Sequence, residues 1–187
     1  MNARGPGPLV VVYRRPLIPA RPSLSAMPAA PLSPSPAPSA LRLVLDTNTV
    51  MALWAFEDPR LASLRALIEG GAPRLLVNPL TLEELRRVLA YRQFAIAPER
   101  QAAILAAYAD RSTVHPPREE DADAHALPAC RDADDQKFLE LARDSGATHL
   151  VSRDKLLLKL NRHRLVRPLF AILTPEALQD ALRFAVL

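Results

Sequence analysis

One cysteine, Cys130, stands in the 187 residues, so no internal disulfide can form. Nothing in the chain points to an oxidising compartment, and the cytosol is the expected location. Five glycines are too few and too scattered for a G-x-G-x-x-G or P-loop phosphate cradle. A dinucleotide-binding reading therefore lacks its loop after the first strand. Aromatic residues make up 5 %. No apolar run reaches the ~18 to 20 residues that span a bilayer. Acids are absent from residues 1–40, which carry Arg4, Arg14, Arg15 and Arg21. Setting these four aside from 24 basic and 20 acidic residues leaves 20 against 20 in residues 41–187. The net charge of +4 thus belongs to the leading segment and does not argue for nucleic acid.

Proline is concentrated where acid is missing. Ten of the 19 prolines fall in residues 1–40, with PAAPLSPSPAPSA at 28–40. Proline fixes φ and removes an amide donor, so residues 1–40 are expected to form a disordered extension. LVVVY at 9–13 is too short for a signal peptide, its Arg14 and Arg15 follow rather than precede it, and Met27 offers a later translation start.

From residue 41 the pattern changes to short apolar runs alternating with helical periodicity. LRLVLD (41–46), RLLVN (74–78), THLVS (148–152) and LFAIL (169–173) predict buried strands, and STVH (112–115) predicts a shorter one. Helices are predicted over 49–56, 59–70, 79–94, from Pro98 to about Asp110, from about Asp132 to Ser145, and over 174–184. Gly70-Gly71 and Gly146 act as stops, and Thr174 with Pro175 forms a helix start. Alternating strands and helices give an α/β class, here a three-layer α/β/α sandwich around a mostly parallel sheet spanning 41–187.

Acids gather where such a sheet binds ligands, beyond the carboxyl ends of its strands. Asp46 ends the first strand in LVLDTNTV, and Asp154 follows THLVS. Glu83 and Glu84 lie early in the helix after RLLVN, while Asp132, Asp134 and Asp135 open the helix before THLVS. Converging carboxylates repel each other unless a cation sits among them. Oxygen ligands without His or Cys favour Mg²⁺ or Mn²⁺ over zinc, a site type suited to phosphodiester hydrolysis. An Asp at a strand-to-helix junction is equally a good N-cap, worth about 0.5–2 kcal/mol. Spacing alone leaves both readings open.

LVLDTNTVMALW, TLEELRRVL, CRDADDQKFLELARDSGATHLVSRD and ILTPEAL stand in the order found in PIN-domain proteins. Over roughly residues 41–180 the chain resembles that family, and most nearly its branch of toxins from toxin–antitoxin systems. The resemblance implies an α/β sandwich and a metal-dependent ribonuclease. It places the catalytic and metal-binding acids at Asp46, Glu84, Asp135 and Asp154, with Glu83 the lesser candidate beside Glu84. Asn48 and Ser152 take supporting positions, Asn48 tying the loop or touching a metal-bound water. Asp132 and Asp134 fall in an outer shell. Gln136 departs from the pattern, since relatives often carry an acid there.

Arg153, Lys155, Lys159, Arg162, His163, Arg164 and Arg167 crowd residues 153–167. Basic side chains beside an acidic metal site suit the flanking phosphates of an RNA. Lys155, Lys159, Arg162 and Arg164 are the candidate RNA contacts. The resemblance also implies a small antitoxin as partner. The acidic loop 116–130 and the surroundings of Trp54, Phe56 and Tyr91 are candidate surfaces for it or for a homodimer. The competing reading is a non-catalytic RNA- or protein-binding PIN module whose acids serve only as caps.

Overall fold

The computed structural model describes residues 41–116 and 125–185. The proline-rich segment 1–40 and part of the acidic loop lie outside the described residues. Five strands form one parallel sheet: β1 (Arg42–Leu45), β2 (Arg74–Val77), β3 (Ser112–Val114), β4 (His149–Val151) and β5 (Ala171–Leu173). Their order is β3-β2-β1-β4-β5. Chain direction across the sheet reverses between β1 and β4, which opens the crevice where such sheets take ligands. Every described pairing is parallel, so the mostly parallel sheet of the sequence reading is wholly parallel here.

Strand side chains alternate faces, and the burial follows them. Leu43 and Leu45 of β1, Leu75 and Val77 of β2 and Val151 of β4 join one core. Val44, Leu76, Leu150 and Ile172 join the other. The first core is covered by helices α1 (Thr47–Val50), α2 (Ala62–Glu69), α3 (Pro79–Leu89), α4 (Pro98–Asp110) and α7 (Pro175–Ala185). The second is covered by α5 (Gln136–Asp144) and α6 (Lys155–Leu160). Both faces of each central strand are apolar because both are covered.

Four helices differ from the predicted spans, the one expected over 59–70 opening as a 3₁₀ turn, Pro59–Leu61, before α2. α1 gives way to a π-helical turn over Met51–Ala55, closed by Phe56 N–H to Met51 C=O at 2.9 Å. Four successive residues, Met51 to Trp54, are buried there, more than the single stripe of a regular surface helix. α3 stops at Leu89, where its apolar face ends, and a 3₁₀ turn covers Arg92–Phe94. The helix expected from Asp132 begins as a 3₁₀ turn, Ala133–Asp135, capped by Asp132 Oδ1 on the Asp134 amide at 3.0 Å. α5 follows, and Gly146 ends it with φ of 62°. α6 was not predicted from the apolar pattern.

Candidate metal centre

Register brings the first two elements of the site together. Leu45 pairs with Val151, and the Asp46 amide donates to the Val151 carbonyl at 3.0 Å. The next residues of each chain, Asp46 and Ser152, therefore face each other just past the sheet. Asp46 is 4 % exposed. Its Oδ1 accepts from the Thr49 amide at 2.6 Å, capping α1, and its Oδ2 accepts from Ser152 Oγ at 2.5 Å. Burial pushes the Asp46 carboxyl above its usual range, the hydrogen bonds from Ser152 and Thr49 draw it back, and Asp154 adds repulsion. The cap and the buried site acid are one residue.

Ser152 links two acids through one fully buried hydroxyl. It donates to Asp46 and accepts the Asp154 amide at 2.9 Å. Asp154 in turn caps α6, taking the Leu156 and Leu157 amides on Oδ1 at 2.6 and 3.0 Å. Ser152→Ala would strand Asp46 Oδ2 in the core. The expected cost is about 1–3 kcal/mol for that unsatisfied oxygen, measured as a shift of the urea midpoint.

Glu84 reaches the site from α3. The Asn78 cap at the end of β2 and its reciprocal bonds with Thr81 set the start of that helix. Glu84 Oε1 accepts from Thr47 Oγ1 at 2.7 Å, and Oε2 pairs with Lys137 of α5. Glu83 points elsewhere, pairing with Arg86 one turn along at 2.6 Å.

Asp135 stands where the 3₁₀ turn meets α5. Burial raises its carboxyl to about 6, and Asp154 adds the next largest push, followed by Asp132, Asp46 and Glu84. Acids from four separate segments thus bear on one carboxyl. Asp135 and Asp132 also line a cavity of about 300 Å³ with Cys130, Arg131, Leu157 and Lys159. Burial, with the charge of Asp135 next, pushes the Cys130 thiol up to about 11, so it is no nucleophile at neutral pH.

The remaining predicted residues separate into engaged and free. Asn48 is exposed, and its side chain forms no hydrogen bond with another described residue. Thr47 does the bracing instead. Asp134 is exposed, and Gln136 turns its carbonyl to the Cys130 amide at 2.8 Å, tying down the preceding loop. Lys155, Lys159, Arg162 and Arg164 are all exposed. Arg153 is engaged: its guanidinium meets Asp58 at 3.0 Å and Glu176 at 2.5 Å, fastening α7 to the turn before α2. Trp54 is packed against Tyr108, and its indole donates to Glu69.

The residues fit a hard divalent ion in chemistry. Four carboxylates are brought to one end of the sheet, and burial first, then the charge of Asp154, holds the Asp135 carboxyl above its usual range. They are not closed around it: among the described residues no group of three or more His, Cys, Asp and Glu side chains is set to hold a metal. Asp46, Glu84 and Asp154 are each held by protein donors. Sequence reasoning missed Lys137. Lys137 adjoins the DDQ acids, but one Lys on an amphipathic helix looks like any solvated residue.

A family model described as PIN domain matches residues 42–156, more than half of the chain, a span within which all four acids fall. A search of curated proteins finds no match. Members of the matched family are generally nucleases that use divalent metal ions. The parallel sheet, its layers and the matched span agree, and the chain is a member of the PIN-domain family.

Proposed function

We propose that this protein is a Mg²⁺- or Mn²⁺-dependent endoribonuclease, and the toxin of a toxin–antitoxin pair. The nuclease reading is carried by the PIN-domain match together with Ser152, which joins Asp46 and Asp154 beyond one edge of the sheet, where the acids repel one another and Asp135. Repulsion of this kind is a cost unless a cation uses it. The toxin role rests on the resemblance of the motifs.

Asp46, Glu84, Asp135 and Asp154 would hold the ion. When bound, such an ion supplies a water of lowered pKa and neutralises charge on the phosphate. Ser152 fixes the orientation of Asp46, and Thr47 that of Glu84. Lys159 shares a cavity with Asp135, and Lys155 follows Asp154, so both can meet phosphates flanking the scissile bond. Exposed Arg162 and Arg164 extend that basic surface. Phe56 and Tyr91, each about half exposed and both packed on Phe94, offer an apolar patch for an antitoxin or a second copy. No helix among the described residues is long and apolar enough to cross a membrane, and the proposed location is the cytoplasm.

Titrating the protein with MnCl₂ or MgCl₂ should raise its melting temperature, since only the folded chain assembles the four acids. The binding should weaken as pH falls through about 6, where Asp135 takes up a proton in competition with the ion. RNA cleavage should stop in EDTA. No metal-dependent shift at millimolar Mn²⁺, with cleavage surviving EDTA, would overturn the proposal. A protein that binds RNA without metal or cleavage would instead be the non-catalytic module.

A further inference from the structure

Both oxygens of Glu84 are spent inside the protein, one on Thr47 Oγ1 and the other on Lys137 Nζ. The side chains of Lys137 and Glu84 are 16 % and 19 % exposed, so the pair is largely withdrawn from water. It also joins α5 to α3, helices that cover opposite faces of the sheet. Three other described ion pairs, Arg65 with Glu69, Arg86 with Glu83 and Arg183 with Asp180, instead join neighbours along one helix. Lys137 makes no ion pair with a second acid among the described residues, and its ammonium lies 5.6 Å from the centre of the Phe138 ring.

A lysine in this position balances the negative charge at Glu84 while no metal is present. It does so by covering Oε2, an oxygen that a metal would use. Two cations cannot share that oxygen cheaply, because like charges a few ångströms apart in a poorly solvated site repel strongly. The ammonium must therefore leave Oε2 when a metal takes it.

We infer that Lys137 is a built-in counter-cation that competes with the divalent ion for Glu84. This inference rests on the metal site of the proposed function, but not on RNA cleavage. Lys137 stabilises the ion-free protein, lowers the affinity for metal, and is released beside the site when metal binds. It is a positioning residue for Glu84, and it stands in the DADDQKFLELA stretch between Gln136 and Phe138.

The test uses the full chain and Mn²⁺ as the probe. Lys137→Met keeps the aliphatic stem and removes the charge. By calorimetry it should bind Mn²⁺ about 5-fold or more tightly than wild type, the lower end of typical coupling between sites. Lys159→Met removes a different cation, one that lines the Asp135 cavity, and should leave the affinity close to wild type. Coupling is reciprocal, so Mn²⁺ must loosen the Lys137–Glu84 pair by the same factor. Labelling of wild-type Lys137 by an amine-reactive ester, followed by peptide mass spectrometry, should therefore speed up at saturating Mn²⁺. That measurement needs no variant and stands even if Lys137→Met does not fold.

Unchanged or weaker Mn²⁺ binding in Lys137→Met would overturn the competition, as would Lys137 labelling that ignores the ion. An equal gain in Lys159→Met would show a general field effect and overturn it too. If neither wild type nor Lys137→Met binds Mn²⁺, the metal site itself fails and the competition with it. If Mn²⁺ binds as described and RNA stays intact, the competition holds and the nuclease reading alone fails.

Discussion

Asp46→Asn should lower RNA cleavage by about a thousandfold while leaving the protein folded. The loss follows from removing a charged ligand that contributes several kcal/mol of transition-state stabilisation, at about 1.4 kcal/mol for each tenfold. The fold should survive because Asn keeps an oxygen for the Thr49 amide and turns an N–H toward Ser152 Oγ. It also removes a charge that burial disfavours and that Asp154 repels. Without metal, the melting temperature should therefore equal or exceed that of wild type. With Mn²⁺ the order should reverse, because the variant has lost a ligand. Single-turnover cleavage and melting curves with and without Mn²⁺ check both halves. Wild-type cleavage by the pure variant would leave Asp46 as a cap alone.

Asp46 shows what a sequence can and cannot reveal here. The strand ends were legible because apolar runs stop abruptly at Asp46, at Asn78 and at Ser152, two residues before Asp154. Their convergence followed from sheet topology, which the alternation of strands and helices already implied. Asp46 caps α1 through Oδ1, while its Oδ2 takes the Ser152 hydroxyl from the end of β4, 106 residues away. Side-chain direction is invisible in a pattern of residue types.

Non-local pairs account for most of what was missed. Arg153 sits in a basic run, yet Asp58 and Glu176 claim it from remote segments. Lys137 is the converse: an unremarkable helical lysine made central by Glu84 from another layer. The DTN motif implies that Asn48 ties the loop or touches a metal-bound water, and among the described residues its side chain ties nothing. Thr47 takes that role toward Glu84, because Asn48 faces outward from α1 while Thr47 is buried against α3. α6 was passed over because KLLLKL has too little length to show a helical period, and its Asp154 cap had already been read as a ligand.

The largest stability effect is expected at Phe138, which sits between Lys137 and the rest of α5. Its ring is 2 % exposed in the second core, among Val44, Leu76, Leu139 and Leu150. Phe138→Ala should cost about 3–5 kcal/mol, from lost burial and the cavity left behind. That is a large share of the roughly 5–15 kcal/mol that holds a typical domain together. Phe56→Ala offers the contrast. Phe56 is 54 % exposed and meets Phe94 edge-on at 5.3 Å, an aromatic pair worth about 0.5–1.5 kcal/mol. Urea unfolding of both variants should separate them clearly. The Phe138 result bears on the site as well, since α5 carries Lys137 and begins directly after Asp135. At low denaturant, where Phe138→Ala is still folded, its Mn²⁺ affinity should fall because the helix is no longer held at one depth. A loss below about 1 kcal/mol would mean that the core tolerates an empty ring position. Asp135 would then owe its place to the Asp132 cap and the Gln136 tie rather than to packing of the helix.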